Sequence, residues 1–298
     1  MKCDWQGVFP ALMTEFSKDG ALDLDATQKH IRSCMDAGVT GLVMLGTLGE
    51  NPSLSQDEKE QVLTAAVEAT EGKIPVLTGV EEYTTAFAIE FVKRAERAGV
   101  TGLMALPCMV YQQDSREAVN HFRTLAAATD LPIMIYNNPV AYKVDLSPED
   151  FQGLADVDNI VAVKESSHDS RRITDMANVL GDRYTVFCGV DDLVLENLLF
   201  GAKGWVCGMV NSFPREAVKL FELGAAGKVK EAYELYKWFM PLLHLDVDVK
   251  LVQMIKLANQ MTGEGSEHVR APRLTLVGDE RARVEAVVRH ALENRPNI

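Results

Sequence analysis

The sequence predicts a (β/α)8 barrel, a TIM barrel with a C-terminal helical extension, on three observations. Short apolar runs alternate with amphipathic stretches at a spacing of about 30 residues, the rhythm of βα units. The runs are nearly continuous in hydrophobicity, as expected of parallel strands covered on both faces. Eight of them precede a remainder that reads as helix throughout.

The first run spans residues 7–12 and the others 41–46, 74–80, 102–107, 132–137, 160–165, 184–189 and 204–209. Between them, residues 25–37, 56–70, 84–98, 116–128, 170–180 and 193–200 carry apolar side chains at three- and four-residue spacing, which suits crossover helices with one buried face. Gly99 and Gly201 follow two of these stretches, where a left-handed cap releases the chain toward the next strand. Beyond Pro214, helices are predicted at about 215–226, 229–240, 247–261 and 278–294, punctuated by Pro241, Gly263, Gly265 and Pro272. The expected division is a barrel over residues 1–226 and an extension over 227–298 packed on it, with no Pro-, Gly- or Ser-rich linker to make the second part a free domain.

Composition narrows the function classes. Of 298 residues, 47% are hydrophobic and 24% charged, ordinary globular values, and no run approaches the roughly 20 apolar residues of a membrane helix. A net charge of −13 disfavours nucleic acid and anionic membranes as partners, since both reward dense Lys/Arg patches. The start runs into a strand-like segment without the apolar stretch of a secretory signal, so a cytoplasmic protein is expected. Cys3, Cys34, Cys108, Cys188 and Cys207 are odd in number, scattered and free of C-x-x-C pairs, which argues against a disulfide framework or structural zinc. His30, His121, His168, His244, His268 and His290 form no H-x-H or H-x-x-x-H pair, so no metal site is expected. P-loop and G-x-G-x-x-G signatures are absent.

Chemistry enters with Lys164, at the end of Ile160-Val161-Ala162-Val163-Lys164-Glu165-Ser166. An ammonium at the end of a buried strand is costly unless paired or neutralised, and a neutral amine is a nucleophile toward carbonyl carbon. Strict alternation puts Ala162 and Lys164 on one face of the strand and Val161 and Val163 on the other. The competing account is a lysine that snorkels to solvent and pairs with Glu165. Tyr136, closing the preceding strand, lies at the same barrel mouth, where a phenol can shuttle protons to a carbinolamine; a core aromatic is the alternative. Gly46-Thr47-Leu48-Gly49-Glu50 follows the second strand and can offer amides and a hydroxyl to a carboxylate, although such turns are common in α/β folds. Asp191 and Asp192 read as a polar rim or a helix N-cap. Thr47, Tyr136 and Lys164 together hold the parts needed to bind a 2-oxo acid, and Lys164 would attack its carbonyl.

These segments resemble the dihydrodipicolinate synthase and N-acetylneuraminate lyase family of class I aldolases. Gly46-Thr47-Leu48-Gly49-Glu50 is similar to its G-[ST]-T-G-E loop, Tyr136-Asn137-Asn138-Pro139 to its Y-N-x-P, and Lys164-Glu165-Ser166 to its K-[ED]-[SA]. The resemblance implies a (β/α)8 barrel, a homotetramer or dimer, and a small 2-oxo acid or cyclic imine substrate. It also implies a covalent imine at Lys164 with no metal or organic cofactor. Tyr136 and Thr47 are the other expected catalytic residues, and Gly46, Leu48, Asn138, Ala141, Tyr111 and Cys207 the expected substrate contacts.

The departures bear on substrate. Ala141 stands where the synthases carry an arginine for the aldehyde partner's carboxylate, and Leu48 replaces the loop's second hydroxyl. Leu106-Pro107-Cys108-Met109-Val110-Tyr111 lacks the family's paired tyrosines, with Tyr111 a partial substitute. That segment, Tyr236 to His244, and Gly265 to Arg273 are similar to the 1-pyrroline-4-hydroxy-2-carboxylate deaminases of hydroxyproline breakdown. The leading expectation is therefore deamination of that cyclic imine to 2-oxoglutarate semialdehyde and ammonia. The alternatives are 4-hydroxy-tetrahydrodipicolinate synthase, another pyruvate-dependent aldolase, or a 2-keto-3-deoxy sugar-acid dehydratase. A silent oxo-acid binder is opposed by the intact Lys164 and Tyr136.

Overall fold

The computed structural model describes residues 4–298, so Cys3 lies outside the described residues. The barrel half alternates as β1 (Gly7–Pro10), α1 (Leu24–Asp36), β2 (Leu42–Met44), α2 (Gln56–Thr70), β3 (Val76–Val80), α3 (Thr85–Ala98) and β4 (Gly102–Ala105). It continues with α4 (Ser115–Ala126), β5 (Ile133–Asn137), the short α5 (Pro139–Tyr142) and α6 (Pro148–Gln152), β6 (Ile160–Glu165), α7 (Arg171–Leu180), β7 (Thr185–Cys188), α8 (Val194–Leu199) and β8 (Gly204–Cys207). Then come α9 (Pro214–Ala225), α10 (Val229–Leu243), α11 (Leu251–Thr262) and α12 (Gly278–Glu293). Each strand falls inside a run expected from hydrophobicity. The helices α5 and α6, four and five residues long, are too short to leave a periodic trace in the sequence.

The strands pair in parallel in the order β1-β8-β7-β6-β5-β4-β3-β2. An Ala11–Val43 bridge, with the Leu12 amide donating to the Val43 carbonyl at 2.9 Å, brings the two ends of the sheet together. Closure leaves no strand edge to satisfy. Side chains of Phe9, Val43, Leu77, Met104, Met134, Ala162, Phe187 and Val206 fill the interior, with Phe9 and Phe187 edge to face at 5.1 Å. The opposite strand faces pack on the helices.

Two local expectations are corrected. The β5–β6 register slips between Ile133/Met134, which pair with Ile160 and Ala162, so Val161 is the extra residue of a β-bulge. Val161 joins the interior cluster beside Ala162, while Ile160 and Val163 face the helices. Lys164 nevertheless points inward, because alternation resumes above the bulge. Second, Pro241 does not end its helix: α10 runs through it to Leu243. The ring sits on the exposed side, and the fully buried Leu242 and Leu243 offset the lost hydrogen bond.

The extension packs Phe239, Met254 and Ile255 into the main core, and the Trp238 indole donates to the Ala291 carbonyl at 3.1 Å. Where a helix is expected from residue 247, the chain instead runs irregularly until Leu251. No helix of the described residues is long and apolar enough to cross a membrane.

Candidate active site

The C-terminal strand ends open into a cavity of about 480 Å³. A larger furrow of about 660 Å³, lined by Asp25, Gln28, Asp57, Glu60 and Glu68, runs between α1 and α2 and contains none of the expected site residues.

Lys164 is the centre of the cavity. It is only 6% exposed, and its register partner on β5 is Tyr136. The ammonium Nζ lies 3.9 Å from the centre of the Tyr136 ring, an aromatic face that attracts a cation without fixing it. Lys164 forms no ion pair among the described residues. Glu165 points the other way, accepting from Asn137 Nδ2 at 3.0 Å and from the Ser167 amide at 2.6 Å. Burial holds that carboxyl above the usual range. The lysine stem depends on Gly189: a Cβ there would stand 2.7 Å from Lys164 Cγ and 2.8 Å from Cε.

The Tyr136 hydroxyl accepts from Asn138 Nδ2 at 3.0 Å, leaving its own proton directed elsewhere. Asn138 also caps α5, its Oδ1 accepting from the Ala141 amide at 2.9 Å. Thr47 Oγ1 is paired at 2.8 Å with the hydroxyl of Tyr142, whose ring meets Tyr136 edge to face at 5.6 Å. Burial, with Tyr136 and Glu81 nearby, keeps the Tyr142 phenol protonated well above its ordinary range. The amides of Thr47 and Leu48 donate to no group among the described residues, so the loop has free N–H groups for an anion.

Of the residues expected from sequence, the cavity gathers Lys164, Tyr136, Thr47, Gly46, Leu48, Asn138 and Ala141. It does not gather Tyr111 or Cys207. Tyr111 is 60% exposed, with its hydroxyl on Glu117 at 3.0 Å. Cys207 falls on the outward phase of β8, fully buried, its thiol 3.4 Å from Asp191. Asp191 is neither rim nor cap. Completely buried, it accepts from the Trp205 indole at 2.9 Å and from the Met209 amide at 2.8 Å, tying the β7 end to the segment after β8.

Among the lining residues that sequence reasoning missed are Glu81, Tyr142, Ser166 and Asp246. Glu81 is 7% exposed, its Oε2 has no hydrogen-bond partner, and burial pushes its carboxyl up to about 7. Ser166 Oγ is likewise buried and unpartnered. Asp246, from the irregular stretch before α11, fits only because residue 208 is glycine: a Cβ there would lie 2.0 Å from Asp246 Oδ1. Burial beside Asp191 drives Asp246 well above the carboxylate range, with Lys164 pulling the other way. Glu81 was legible in principle, since alternation from Leu77 through Gly79 leads to it; Asp246 had no local signal.

The family profile described as "Dihydrodipicolinate synthetase family" matches residues 4–291. A 4-hydroxy-tetrahydrodipicolinate synthase from Methanothrix thermoacetophila is 30% identical over 285 residues, covering 95% of this chain and 96% of its own. One from Exiguobacterium sp. is 36% identical over 273 residues, covering 91% and 92%. Among solved structures, the 4-hydroxy-tetrahydrodipicolinate synthase of Methylacidiphilum fumariolicum superposes with a TM-score of 0.93 at 28% identity over 97% of both chains. With an inward lysine on the sixth strand, a tyrosine beside it and a likeness spanning nearly its full length, the chain belongs to the dihydrodipicolinate synthetase family, lyases that work through a lysine Schiff base and need no cofactor.

Proposed function

We propose that the protein dismantles a single cyclic imine, 1-pyrroline-4-hydroxy-2-carboxylate, to 2-oxoglutarate semialdehyde and ammonia. The observation that carries this reading is the scarcity of free cations in the cavity, which no arginine lines. Its acidic lining is Glu81, Asp246 and Asp248, while Lys164 and the exposed Lys143 are its lysines. Lys143 Nζ is already bound to the Val140 carbonyl at 2.7 Å, and Ala141 stands exposed where the synthases carry their arginine. Such a wall suits one carboxylate near Thr47 better than two.

In this mechanism the substrate carboxylate rests on the Thr47 and Leu48 amides, and Lys164 attacks the ring C2. Expulsion of the ring nitrogen leaves an imine at Lys164 and an open-chain amine. Loss of a C3 proton gives an enamine, which expels the C4 hydroxyl. A further proton shift carries the unsaturation to the C5 amine as an imine. Hydrolysis at C5 and at C2 then releases ammonia and the semialdehyde, with a net consumption of one water. Tyr136 moves the protons of imine formation and hydrolysis, its hydroxyl oriented by Asn138. The Thr47–Tyr142 pair holds the carboxylate end in place.

Purified protein given the pyrroline should release ammonia and semialdehyde in equal amounts. Borohydride added with the substrate or pyruvate should leave a stable mass on Lys164, and Lys164→Ala should abolish both signals. No adduct, or an adduct that survives the substitution, ends the Schiff-base reading at this residue.

A second reading, condensation of pyruvate with an aldehyde, is favoured by the names of the curated relatives, each a 4-hydroxy-tetrahydrodipicolinate synthase. Incubation with pyruvate and a panel of aldehydes, scored against ammonia release from the pyrroline, separates the two. A homotetramer or dimer working in the cytoplasm completes the proposal. One solved relative is described as the first monomeric dihydrodipicolinate synthase variant, which makes sedimentation the direct test of assembly.

A further inference from the structure

We infer that Glu81 is the general acid of the elimination, its carboxyl meeting the substrate's C4 hydroxyl and protonating that oxygen as the C4–O bond breaks. The inference rests on the single-substrate reading above and assigns the step that reading leaves without a proton donor.

Leu77 faces the barrel interior and Val80 the helices, so alternation along β3 sends Gly79 and then Glu81 inward. Glu81 therefore stands at the mouth, three strands round the barrel from Lys164 and beside the Gly46-Thr47 loop. All of these residues line one cavity.

Glu81 is also isolated. The neighbouring Glu82 is engaged, its Oε1 accepting from Lys59 Nζ at 2.8 Å and from Gln56 Nε2 at 3.1 Å. Glu81 has no such arrangement: no described residue hydrogen-bonds its carboxyl, and its Oε2 is sealed from solvent. A buried carboxyl without a partner is destabilising, and a ligand hydroxyl arriving in the cavity is the group that would satisfy it.

Its surroundings hold the proton near neutrality. Burial and Glu82 raise the carboxyl, while Lys59 of α2 and Arg273 of the extension lower it. Tyr142 of α5 faces it and is itself protonated. The balance, about 7, suits an acid that must both give and regain a proton.

The step balances. The nitrogen lone pair and the C2=C3 electrons of the Lys164 enamine shift to form C3=C4 and the iminium. The C4–O pair leaves on oxygen, which takes the Glu81 proton and departs as water, and the carboxylate is reprotonated from solvent.

The test compares wild type, Glu81→Gln and Glu81→Asp in three assays: ammonia release from the pyrroline across pH, deuterium uptake at C3 in heavy water, and borohydride trapping of pyruvate. Glu81→Gln should slow ammonia release by about 10²–10⁴-fold while still trapping pyruvate and exchanging C3. The fall in kcat/KM above about pH 7 should vanish with it, and Glu81→Asp should restore part of the rate. Ammonia release within about threefold of wild type overturns the inference, as does an equal loss of pyruvate trapping, which would mark a merely structural role. If the wild type itself releases no ammonia, the elimination reading fails and this inference falls with it, a result distinct from an active Glu81→Gln.

Discussion

Gly189 shows how narrowly the lysine is housed. A methyl at this position would meet Ser166 Oγ at 2.0 Å as well as the lysine stem, so Gly189→Ala must push Lys164 aside. The expected cost is about 1–3 kcal/mol of stability. Pyruvate trapping should slow by about tenfold or more, because the amine leaves its attack position; thermal melts and timed borohydride quenches check the two effects separately. Glu81 adds a pH signature to the same cavity. Its carboxyl titrates at about 7 in the folded chain against an ordinary 4.5, so the native state binds the extra proton between those values. Stability conferred by the protonated form is present below the unfolded value and declines as pH rises through about 7, by on the order of 3 kcal/mol. Glu81→Gln should remove that decline, gaining stability over wild type at about pH 8 and not at about pH 4, as read by urea denaturation. At this scale Lys164, Tyr136 and Thr47 were legible, because strand ends in a parallel barrel face one mouth. Tyr142 was not: its role comes from α5, a four-residue helix that turns the ring back over Thr47.

Among the elements, the loop after β2 is held by the extension. Glu50, in the left-handed conformation at φ 53°, is completely buried, and its Oε1 lies 2.8 Å from Lys256 Nζ of α11. Lys256 also donates to the carbonyls of Thr14 at 2.8 Å and His268 at 2.7 Å. The other Glu50 oxygen accepts from the Arg270 amide at 3.0 Å. Lys256→Met leaves the buried Glu50 carboxylate only the longer ion pair to Arg273 at 3.6 Å and should cost about 3–5 kcal/mol, with much of that loss recovered when Glu50→Gln is added. Urea melts of the single and double variants provide the measurement; a rise in KM for the substrate should accompany the single change, since the same loop presents the Thr47 and Leu48 amides. Secondary structure was largely legible at this scale. The bulge at Val161 and the passage of α10 through Pro241 were not, because each depends on a neighbour: the β5 register in one case, the burial of Leu242 and Leu243 in the other.

For the whole molecule, the extension lines the cavity as well as packing on the barrel. Residues 246–249 line the cavity, and Arg270 reaches Glu58 at 2.9 Å and the Gly20 carbonyl at 2.7 Å. A chain ending at Ala226 would leave Glu50 unpaired and the outer core uncovered. It should lose its cooperative urea transition, and near-ultraviolet dichroism and gel filtration will show whether a compact barrel survives. Local pattern was enough for the order of the strands and the longer helices, for the barrel, and for a lysine, a tyrosine and a hydroxyl loop gathered at one mouth, because periods of two and 3.6 are properties of adjacent residues. Three-dimensional packing settled the rest. It turned Cys207 outward onto Asp191, paired Thr47 with Tyr142, brought Asp246 over the cavity from the extension and left Glu81 without a partner. Burial, pairing and proton affinity are set by groups far away in the chain, and no local period carries them.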